Sequence, residues 1–203
     1  MGEQNKDLKI NIGAIILAAG LGERLKTVGL KPFLLYKGKS FIRITVENVR
    51  SIGLNPLIVV TNKLYYPQIL EYNFPAIIQI NPTPEQAMLS SILIGLKEIE
   101  ASCSGFFLCP IDYPLVQRET FSKLLLAYQS HPDRIIKPTF NNKSGHPIVF
   151  PKILFELLKR APLDQGARFV THQYSHLTTT VQVDDSGILI NINTPELYYK
   201  YCK

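Results

Sequence analysis

The stretch that decides the fold is Ile12–Arg24, which reads IGAIILAAGLGER. Its first part, Ile12–Ala18, is an apolar run of the length of a buried strand, and small residues follow at Ala19, Gly20 and Gly22. Glycine at the end of a first strand lets backbone N–H groups come close to a phosphate chain. The stretch therefore predicts an α/β fold whose first strand leads into an anion-binding loop.

Two cations, Arg24 and Lys31, follow the loop. Opposite charges 4 Å apart attract by about 4 kcal/mol at an effective dielectric near 20, before desolvation, so these cations and the loop amides suit a triphosphate. The loop lacks the glycine-lysine-serine ending of a P-loop, and Leu25 stands where the third glycine of a dinucleotide fingerprint belongs. From these residues alone, a tight β-to-α turn without a ligand stays open as an alternative.

Short apolar runs alternate with amphipathic stretches along the rest of the chain, which is the pattern of βαβ units around a mostly parallel sheet. One domain at residues 12–203 is expected, preceded by a flexible polar segment at residues 1–11. The predicted strands are Ile12–Ala18, Leu57–Thr61, Ala76–Ile80, Phe106–Cys109, Arg134–Pro138, Pro147–Phe150, Thr178–Val183 and Ile188–Ile192. The predicted helices are Ser40–Ser51, Tyr65–Tyr72, Met88–Ile99, Arg118–Tyr128 and Ile153–Arg160, with a short helix at the carboxyl end.

The composition limits what the protein binds and where it works. The 22 basic and 16 acidic residues give a net charge of +6, and the basic residues are scattered, which favours small anionic ligands over nucleic acid. The three cysteines have no CxxC or zinc spacing, so a reduced compartment is expected. The apolar run Ile12–Ala19 is far shorter than the ~20 residues of a membrane span, and no secretory signal precedes it. We therefore expect a cytoplasmic protein without a membrane partner.

The glycine loop and the residues after it resemble the signature of the MobA-like NTP transferases, the nucleotidyltransferases of the molybdenum-cofactor type. The resemblance extends over Ile12–Tyr199 and is carried by Leu17–Arg24, Lys31, Pro32, Gly38 and Lys39. It implies a three-layer α/β/α Rossmann-like nucleotidyltransferase fold with a mostly parallel mixed sheet. It also implies transfer of a nucleoside monophosphate from a nucleoside triphosphate to a phosphorylated acceptor, with molybdopterin or the molybdenum cofactor as the expected acceptor. Cytidylyltransferases of the group carry alanine at the position of Ala19, so CTP is the expected donor.

The resemblance places the nucleotide on two segments. The glycine loop and its two cations hold the triphosphate, and the segment Asn81–Gly95 contacts the base and ribose. Ala87 stands in the usual glycine position, where its methyl group crowds the base or changes the backbone. From the residues alone, Ser90 and Ser91 instead cap a helix. The implied nucleotide-binding residues are Leu17, Ala18, Ala19, Gly20, Gly22, Arg24, Lys31, Ala87, Met88 and Ser91.

Asp112 is the implied ligand of a divalent cation, Mg²⁺ or alternatively Mn²⁺. It follows a predicted strand and lies between Pro110 and Pro114, which fix it near the edge where open α/β sheets bind ligands. The family has a metal-binding aspartate in a similar segment, although Pro110 and Ile111 depart from its usual form. Without the resemblance, an aspartate in a surface turn is the alternative.

Asn191 and Asn193 form the second implied metal segment. In the predicted strand they point to the same face, so two amide oxygens can meet one cation. Relatives often carry aspartates there, and amides bring less charge to the metal. The same segment also predicts a helix start, with Thr194 as the cap and Pro195 at the first helical position, and both interpretations can hold together.

Two residues are expected on the acceptor side of the cleft. His146 lies in a Gly-His-Pro element similar to one in the cytidylyltransferase branch, and an ordered loop can aim it at a pterin phosphate. Arg168 ends the segment Asp164–Arg168, which resembles a further acceptor-side segment, and it is available for phosphate. A structural histidine and a helix-start aspartate are the alternatives.

The expected reaction is attack of an acceptor phosphate oxygen on the α-phosphorus, with release of pyrophosphate. The implied catalytic residues Arg24, Lys31 and Asp112 align the phosphates and stabilise their charge. No general base is needed, because the acceptor phosphate is already ionised at neutral pH. Two other functions stay open: a sugar-phosphate nucleotidyltransferase or nucleotide-sugar glycosyltransferase, and a non-catalytic nucleotide-binding module that delivers a cofactor. A molybdoenzyme or a cofactor-insertion protein is the expected macromolecular partner.

Overall fold

A computed structural model gives the structure of the protein and describes residues 11–203. The predicted flexible segment, residues 1–11, lies outside the described residues except for Asn11. The carbonyl oxygen of Asn11 accepts a hydrogen bond from the N–H of Ser104 at 2.8 Å, which attaches the start of the described chain to the domain. None of the helices in residues 11–203 combines the length and the apolar character needed to span a bilayer.

The elements of residues 11–203 alternate between strand and helix over most of the chain. The strands are β1 (Ile12–Leu17), β2 (Leu35–Tyr36), β3 (Lys39–Ser40), β4 (Leu57–Thr61), β5 (Ile77–Ile80), β6 (Gly105–Pro110), β7 (Ile135–Phe140), β8 (Lys143–Ser144), β9 (Ile148–Pro151) and β10 (Thr178–Gln182). The helices are α1 (Phe41–Ser51), α2 (Tyr66–Glu71), α3 (Ala87–Ile99), α4 (Arg118–Ser130), α5 (Phe155–Arg160), α6 (Gly166–Gln173) and α7 (Pro195–Cys202).

The main sheet has the strand order β10-β7-β9-β6-β1-β4-β5, with β8 paired to β7. All pairs on the β6-β1-β4-β5 side are parallel, and β10 is parallel to β7. Only β9 and the short β8 run against the neighbouring strands. The sheet is therefore mixed but mostly parallel, as expected, and the carboxyl ends of β1, β4 and β6 lie side by side.

Helices cover both faces of the sheet, which makes three layers. Ala14 and Ile16 of β1 belong to the core under α1, α2 and α4, whereas Ile15 and Leu17 belong to the core under α3, α5 and α6. Because both faces of β1 are buried, its sequence is a continuous apolar run rather than an alternating one. The predicted three-layer α/β/α fold is confirmed.

One predicted strand is wrong. Ile188–Ile192 forms no strand; a 3₁₀ turn spans Ser186–Leu189, and the chain then runs without regular structure to α7. The cause is the buried carboxylate of Asp185, which accepts hydrogen bonds from the Thr120 hydroxyl at 2.6 Å and from the Gly187 N–H at 2.9 Å. The bond from Thr120 ties the segment to the start of α4, the bond from Gly187 closes the turn, and together they keep the segment off the sheet edge.

The structure contains three short elements that the sequence pattern does not predict. They are α6 and the small hairpins formed by β2 with β3 and by β7 with β8. Gly38, at φ +77°, turns the first hairpin, and Asn141 and Asn142 turn the second with positive φ. Strands of two residues carry too little periodicity to be predicted.

Candidate active site

The site lies where β1, β4 and β6 end. The glycine loop follows β1, Asn62 follows β4, and Asp112 follows β6. Because these strands are parallel neighbours, residues that are far apart in sequence meet at one edge of the sheet. This is the edge at which open α/β sheets bind ligands.

The glycine loop is held from below by two buried residues. The Asn62 side-chain amide donates to the carbonyl oxygen of Ala19 at 2.8 Å, and the Tyr65 hydroxyl donates to that of Leu21 at 2.8 Å. Burial raises the pKa of Tyr65, so its hydroxyl stays a donor. None of the backbone N–H groups of residues 19–22 donates to a partner within residues 11–203. The carbonyls of Ala19 and Leu21 are thus occupied, while the loop amides have no partner among the described residues and are available to an anion.

Gly22 brings the loop against Lys31. Its φ is +60°, and a Cβ added there would lie 3.2 Å from Lys31 Cβ, so both the backbone conformation and the space require glycine. Lys31 Nζ in turn lies 3.3 Å from Asp112 Oδ2, with the two side chains only 15% and 17% exposed. The turn, the cation and the acid therefore form one partly buried group.

A cavity of about 260 Å³ opens above this group. Seven of the ten residues expected to bind nucleotide line it: Leu17, Ala19, Gly20, Lys31, Ala87, Met88 and Ser91. Asp112, from the expected metal site, lines it too. Ala18 and Gly22 do not line the cavity, because Ala18 is buried in the core and Gly22 packs against Lys31. Arg24 does not line the cavity; it lies in the 3₁₀ turn Glu23–Leu25, and its side chain is exposed.

The opposite wall is the start of α3, where Asn81 fixes the approach of the chain. Its side-chain amide donates to the hydroxyls of Ser90 at 2.8 Å and Ser91 at 2.9 Å, and its oxygen accepts from the Thr83 N–H at 2.9 Å. The two serines do not cap α3: the residue at the cap is Gln86, and no side-chain hydrogen bond caps this end. The alternative capping role for the serines is therefore wrong.

Ala87 is the first residue of α3 and has φ +28°. This is the left-handed region that alanine enters only at a cost, and it is the position where the resemblance expects glycine. The departure from the family pattern thus leaves a methyl group on a strained residue that lines the cavity.

The residues expected to bind metal come together, although not on a strand. The Ile192 N–H donates to the carbonyl oxygen of Asp112 at 2.7 Å, which places Asn191 and Asn193 beside the aspartate. Asp112 Oδ1 and Asn191 Oδ1 are both buried without a hydrogen-bond partner. The predicted helix start is confirmed, because Thr194 Oγ1 accepts from the Leu197 N–H at 3.4 Å and Pro195 begins α7.

The donor set fits a hard divalent cation. Unpartnered carboxylate and amide oxygens are the ligands that Mg²⁺ and Mn²⁺ prefer. No group of three or more His, Cys, Asp or Glu side chains with metal-binding geometry exists within residues 11–203. A cation held here by one carboxylate would therefore depend on phosphate oxygens for further ligands.

A larger cavity of about 520 Å³ adjoins the first, and Ala87 and Met88 line both. His146 lines the larger cavity, its ring centroid 4.8 Å from that of Tyr113, and burial lowers its pKa to about 4. The ring is therefore neutral at pH 7, and its Nδ1 is buried without a partner. Arg168 also lines this cavity from α6, with an exposed side chain.

Sequence reasoning missed four residues that shape the two cavities: Asn62, Tyr65, Tyr113 and Lys137. Lys137 had a readable signal, since it interrupts the apolar run of β7. Tyr113 stands directly after Asp112 and lines the larger cavity. Asn62 and Tyr65 gave no signal, because their role depends on a contact with a loop more than 40 residues away.

A family model described as the MobA-like NTP transferase domain matches residues 14–178 of the chain. A 2-C-methyl-D-erythritol 4-phosphate cytidylyltransferase from Vibrio parahaemolyticus is 29% identical over 124 residues, which cover 59% of this chain and 52% of that protein. A protein of the same name from Aliivibrio fischeri is 30% identical over 94 residues, covering 45% of this chain and 39% of that protein. The chain thus spans about half the length, or less, of the curated relatives it matches.

Solved structures share the fold. The crystal structure of Rv0371c from Mycobacterium tuberculosis superposes with a TM-score of 0.82 at 21% identity, covering 94% of this chain and 97% of that one. Its complex with manganese gives 0.79 at 20% identity, covering 95% and 98%. A molybdopterin-guanine dinucleotide biosynthesis protein A from Archaeoglobus fulgidus gives 0.67 at 16% identity, covering 95% and 97%. At these identities the likeness shows the architecture alone.

Proposed function

The chain belongs to the MobA-like NTP transferase family, and we propose that it transfers a nucleoside monophosphate from a nucleoside triphosphate to a phosphorylated acceptor, with release of pyrophosphate. The observation that carries the proposal is the loop of residues 19–22. The side chains of Asn62 and Tyr65 hold the carbonyls of Ala19 and Leu21, while the loop N–H groups have no partner within residues 11–203 and lie beside Lys31 and the 260 Å³ cavity. Free amides and a cation at a strand end are what a triphosphate requires.

Lys31 and the loop amides would bind the triphosphate and stabilise the negative charge that develops during attack on the α-phosphorus. Arg24 is a further proposed phosphate ligand, and its exposed side chain would have to rotate toward the loop to make that contact. The main task of such a site is to position the acceptor phosphate against the α-phosphate of the donor, because the attacking oxygen is already ionised.

A divalent cation held by Asp112, with Asn191 and Asn193, would neutralise phosphate charge when bound. Mg²⁺ is the proposed physiological ion, and Mn²⁺ the alternative. The manganese complex of the structurally similar Rv0371c supports a divalent cation in this fold.

The larger cavity would hold the acceptor. It adjoins the nucleotide cavity at Ala87 and Met88, and it is lined by Arg168 and by the neutral ring of His146. A neutral, buried imidazole suits packing and hydrogen bonding to the acceptor rather than binding of its charge. A volume of about 520 Å³ accommodates an acceptor that carries a ring system.

CTP is the proposed donor and molybdopterin, or the molybdenum cofactor, the proposed acceptor. Ala19 and the similarity to two proteins named as cytidylyltransferases favour CTP. The resemblance of the sequence to nucleotidyltransferases of the molybdenum-cofactor type and the size of the larger cavity favour a pterin acceptor. A molybdoenzyme or a cofactor-insertion protein would then receive the product.

A polyol- or sugar-phosphate cytidylyltransferase is the second candidate, and the names of the relatives from Vibrio parahaemolyticus and Aliivibrio fischeri favour it. The discriminating experiment pairs labelled CTP, GTP and UTP with molybdopterin and with 2-C-methyl-D-erythritol 4-phosphate and measures pyrophosphate. Release only with CTP and molybdopterin supports the first proposal. Release with the polyol phosphate supports the second. Tight CTP binding without pyrophosphate in any pair, with Mg²⁺ or Mn²⁺, would make the protein a nucleotide-binding module.

A further inference from the structure

Lys137 is the feature of the larger cavity that the proposed function leaves unused. It lines this cavity from the middle of β7, between buried Ile136 and buried Pro138. Its ammonium group has no ion-pair or hydrogen-bond partner within residues 11–203. Burial lowers the pKa of Lys137, because the charged ammonium group loses contact with water and has no acidic side chain to replace it. A half-buried amine that no protein group neutralises is suited to a ligand anion.

The sheet register separates Lys137 from the reacting end of the site. Ile136 pairs with Val149, and Val149 with Phe107, so Lys137 is level with Leu108. β9 lies between β7 and β6, which puts the two strands roughly 10 Å apart. Asp112 lies beyond Leu108, past the end of β6. An anion at Lys137 therefore occupies a different part of the cleft from a phosphate at Asp112 and Lys31.

The wall between the two positions is apolar and aromatic. The rings of Tyr113 and His146 lie 4.8 Å apart at 45°, and Leu108, Ile148 and Leu189 complete this side of the cavity. Rings and aliphatic side chains suit the flat or apolar body of a ligand. The other charged residues of the cavity are Arg168 and Asp164. With His146 neutral, the cavity keeps a net positive charge.

We infer that Lys137 binds a second anionic group of the acceptor, separate from the phosphate that reacts beside Asp112. The inference rests on the proposed function, and it narrows the acceptor to molecules that carry a second anionic group besides the reacting phosphate, which in molybdopterin is the dithiolene with its acidic thiols. A polyol monophosphate has no such second group. Lys137 thus determines which acceptor is chosen and takes no part in binding CTP.

The kinetic test compares Lys137→Gln with Lys143→Gln. Lys143 lies in the adjacent β8, is exposed and does not line the cavity, so its variant removes the same charge outside the site. We expect Lys137→Gln to raise the KM for molybdopterin about tenfold or more, as for loss of one charge-assisted contact, with the KM for CTP unchanged. Lys137→Arg should restore most of the loss, because it keeps the charge. Equal KM values for the two glutamine variants would overturn the inference and leave the proposed function intact.

A second test needs no catalytic activity. Pyridoxal 5′-phosphate is a flat phosphorylated aldehyde that condenses with unprotonated lysine with loss of water, and borohydride fixes the adduct. We expect it to label Lys137 ahead of Lys143 in the full chain, with inorganic phosphate and not CTP reducing the labelling. That result in a protein that transfers no nucleotide to any acceptor would sustain the anion site and overturn the proposed function. Labelling of Lys137 no faster than Lys143 would overturn the inference.

Discussion

Lys31 and Asp112 stand 81 residues apart in the chain, yet Lys31 Nζ lies 3.3 Å from Asp112 Oδ2, and both residues line the 260 Å³ cavity. The pair joins the residue that would bind phosphate to the residue that would bind metal. Only one carboxylate oxygen is used, because Oδ1 is buried without a partner. Asp112 can therefore keep its contact with Lys31 and still offer an oxygen to a cation.

Replacing Asp112 by alanine should leave the fold intact and abolish metal-dependent pyrophosphate release. Removal of a preorganised electrostatic group of this kind lowers turnover by about 100-fold or more. The free energy of unfolding, measured by urea titration, should fall by about 1–3 kcal/mol, because Lys31 loses its partner where both side chains are mostly buried. Asp184→Ala removes an exposed acid elsewhere and should turn over normally. Full activity in Asp112→Ala would exclude Asp112 from the mechanism.

Replacing Lys31 by glutamine should weaken CTP binding about tenfold or more, because the loop amides lose their neighbouring cation. Lys26→Gln is the matched control: Lys26 lies on the same stretch, is exposed and pairs with Glu23 outside the cavity. Calorimetric titration of both variants with CTP measures the effect. Equal affinities would mean that the triphosphate does not lie against Lys31.

Removing the Tyr65 hydroxyl should loosen the glycine loop without touching the ligand. Tyr65→Phe leaves the carbonyl of Leu21 unpaired, so we expect a three- to tenfold weaker affinity for CTP, from loss of about 1 kcal/mol of hydrogen bonding. Tyr128→Phe is the control, because the Tyr128 hydroxyl donates to the carbonyl of Ser104 at 2.6 Å, next to the amino end of β6. Both variants should lose similar stability in urea, and only Tyr65→Phe should lose affinity for CTP. If both lose affinity equally, the effect is general and the loop plays no special part.

Glycine at position 87 should stabilise the protein or leave its stability unchanged. Ala87 has φ +28°, where an alanine side chain clashes with the backbone. Removing its Cβ gains about 1 kcal/mol, which offsets the usual cost of glycine in a helix. Ala127→Gly in the ordinary helix α4 should lose about 1 kcal/mol in the same urea titration. A loss of that size in Ala87→Gly would show that the backbone at residue 87 is not strained.

The stability of the protein should fall as the pH is lowered from 6.5 to 4, in part because of His146. Burial lowers the pKa of His146 from 6.5 to about 4, so in this range the unfolded chain binds a proton that the folded chain does not. The contribution reaches roughly 3 kcal/mol at pH 4. His146→Gln should show a smaller loss of unfolding free energy between pH 7 and pH 4.5. If the wild type and His146→Gln lose the same unfolding free energy over this pH range, a group other than His146 causes the pH dependence.

The sequence by itself determined the strands and helices that are long enough to repeat a pattern. Ile12–Leu17 is apolar on both faces, as a central parallel strand must be, and α1 and α3 begin within one residue of their predicted starts. The glycine loop was equally readable, because a turn with free amides needs small residues at fixed places. These properties depend on neighbours within a few residues.

Only the tertiary structure decided what meets this loop. Lys31 with Asp112, Asn62 with Ala19, and Lys137 with its cavity are contacts between distant segments, and they exist because of the order in which the strands lie in the sheet. The same reason explains why the predicted strand at Ile188–Ile192 is absent. Its alternating pattern is local, but the hydrogen bonds of Asp185 to the start of α4 outweigh it. Local pattern fixes an element, whereas the position of a charge relative to another charge depends on packing across the whole sheet.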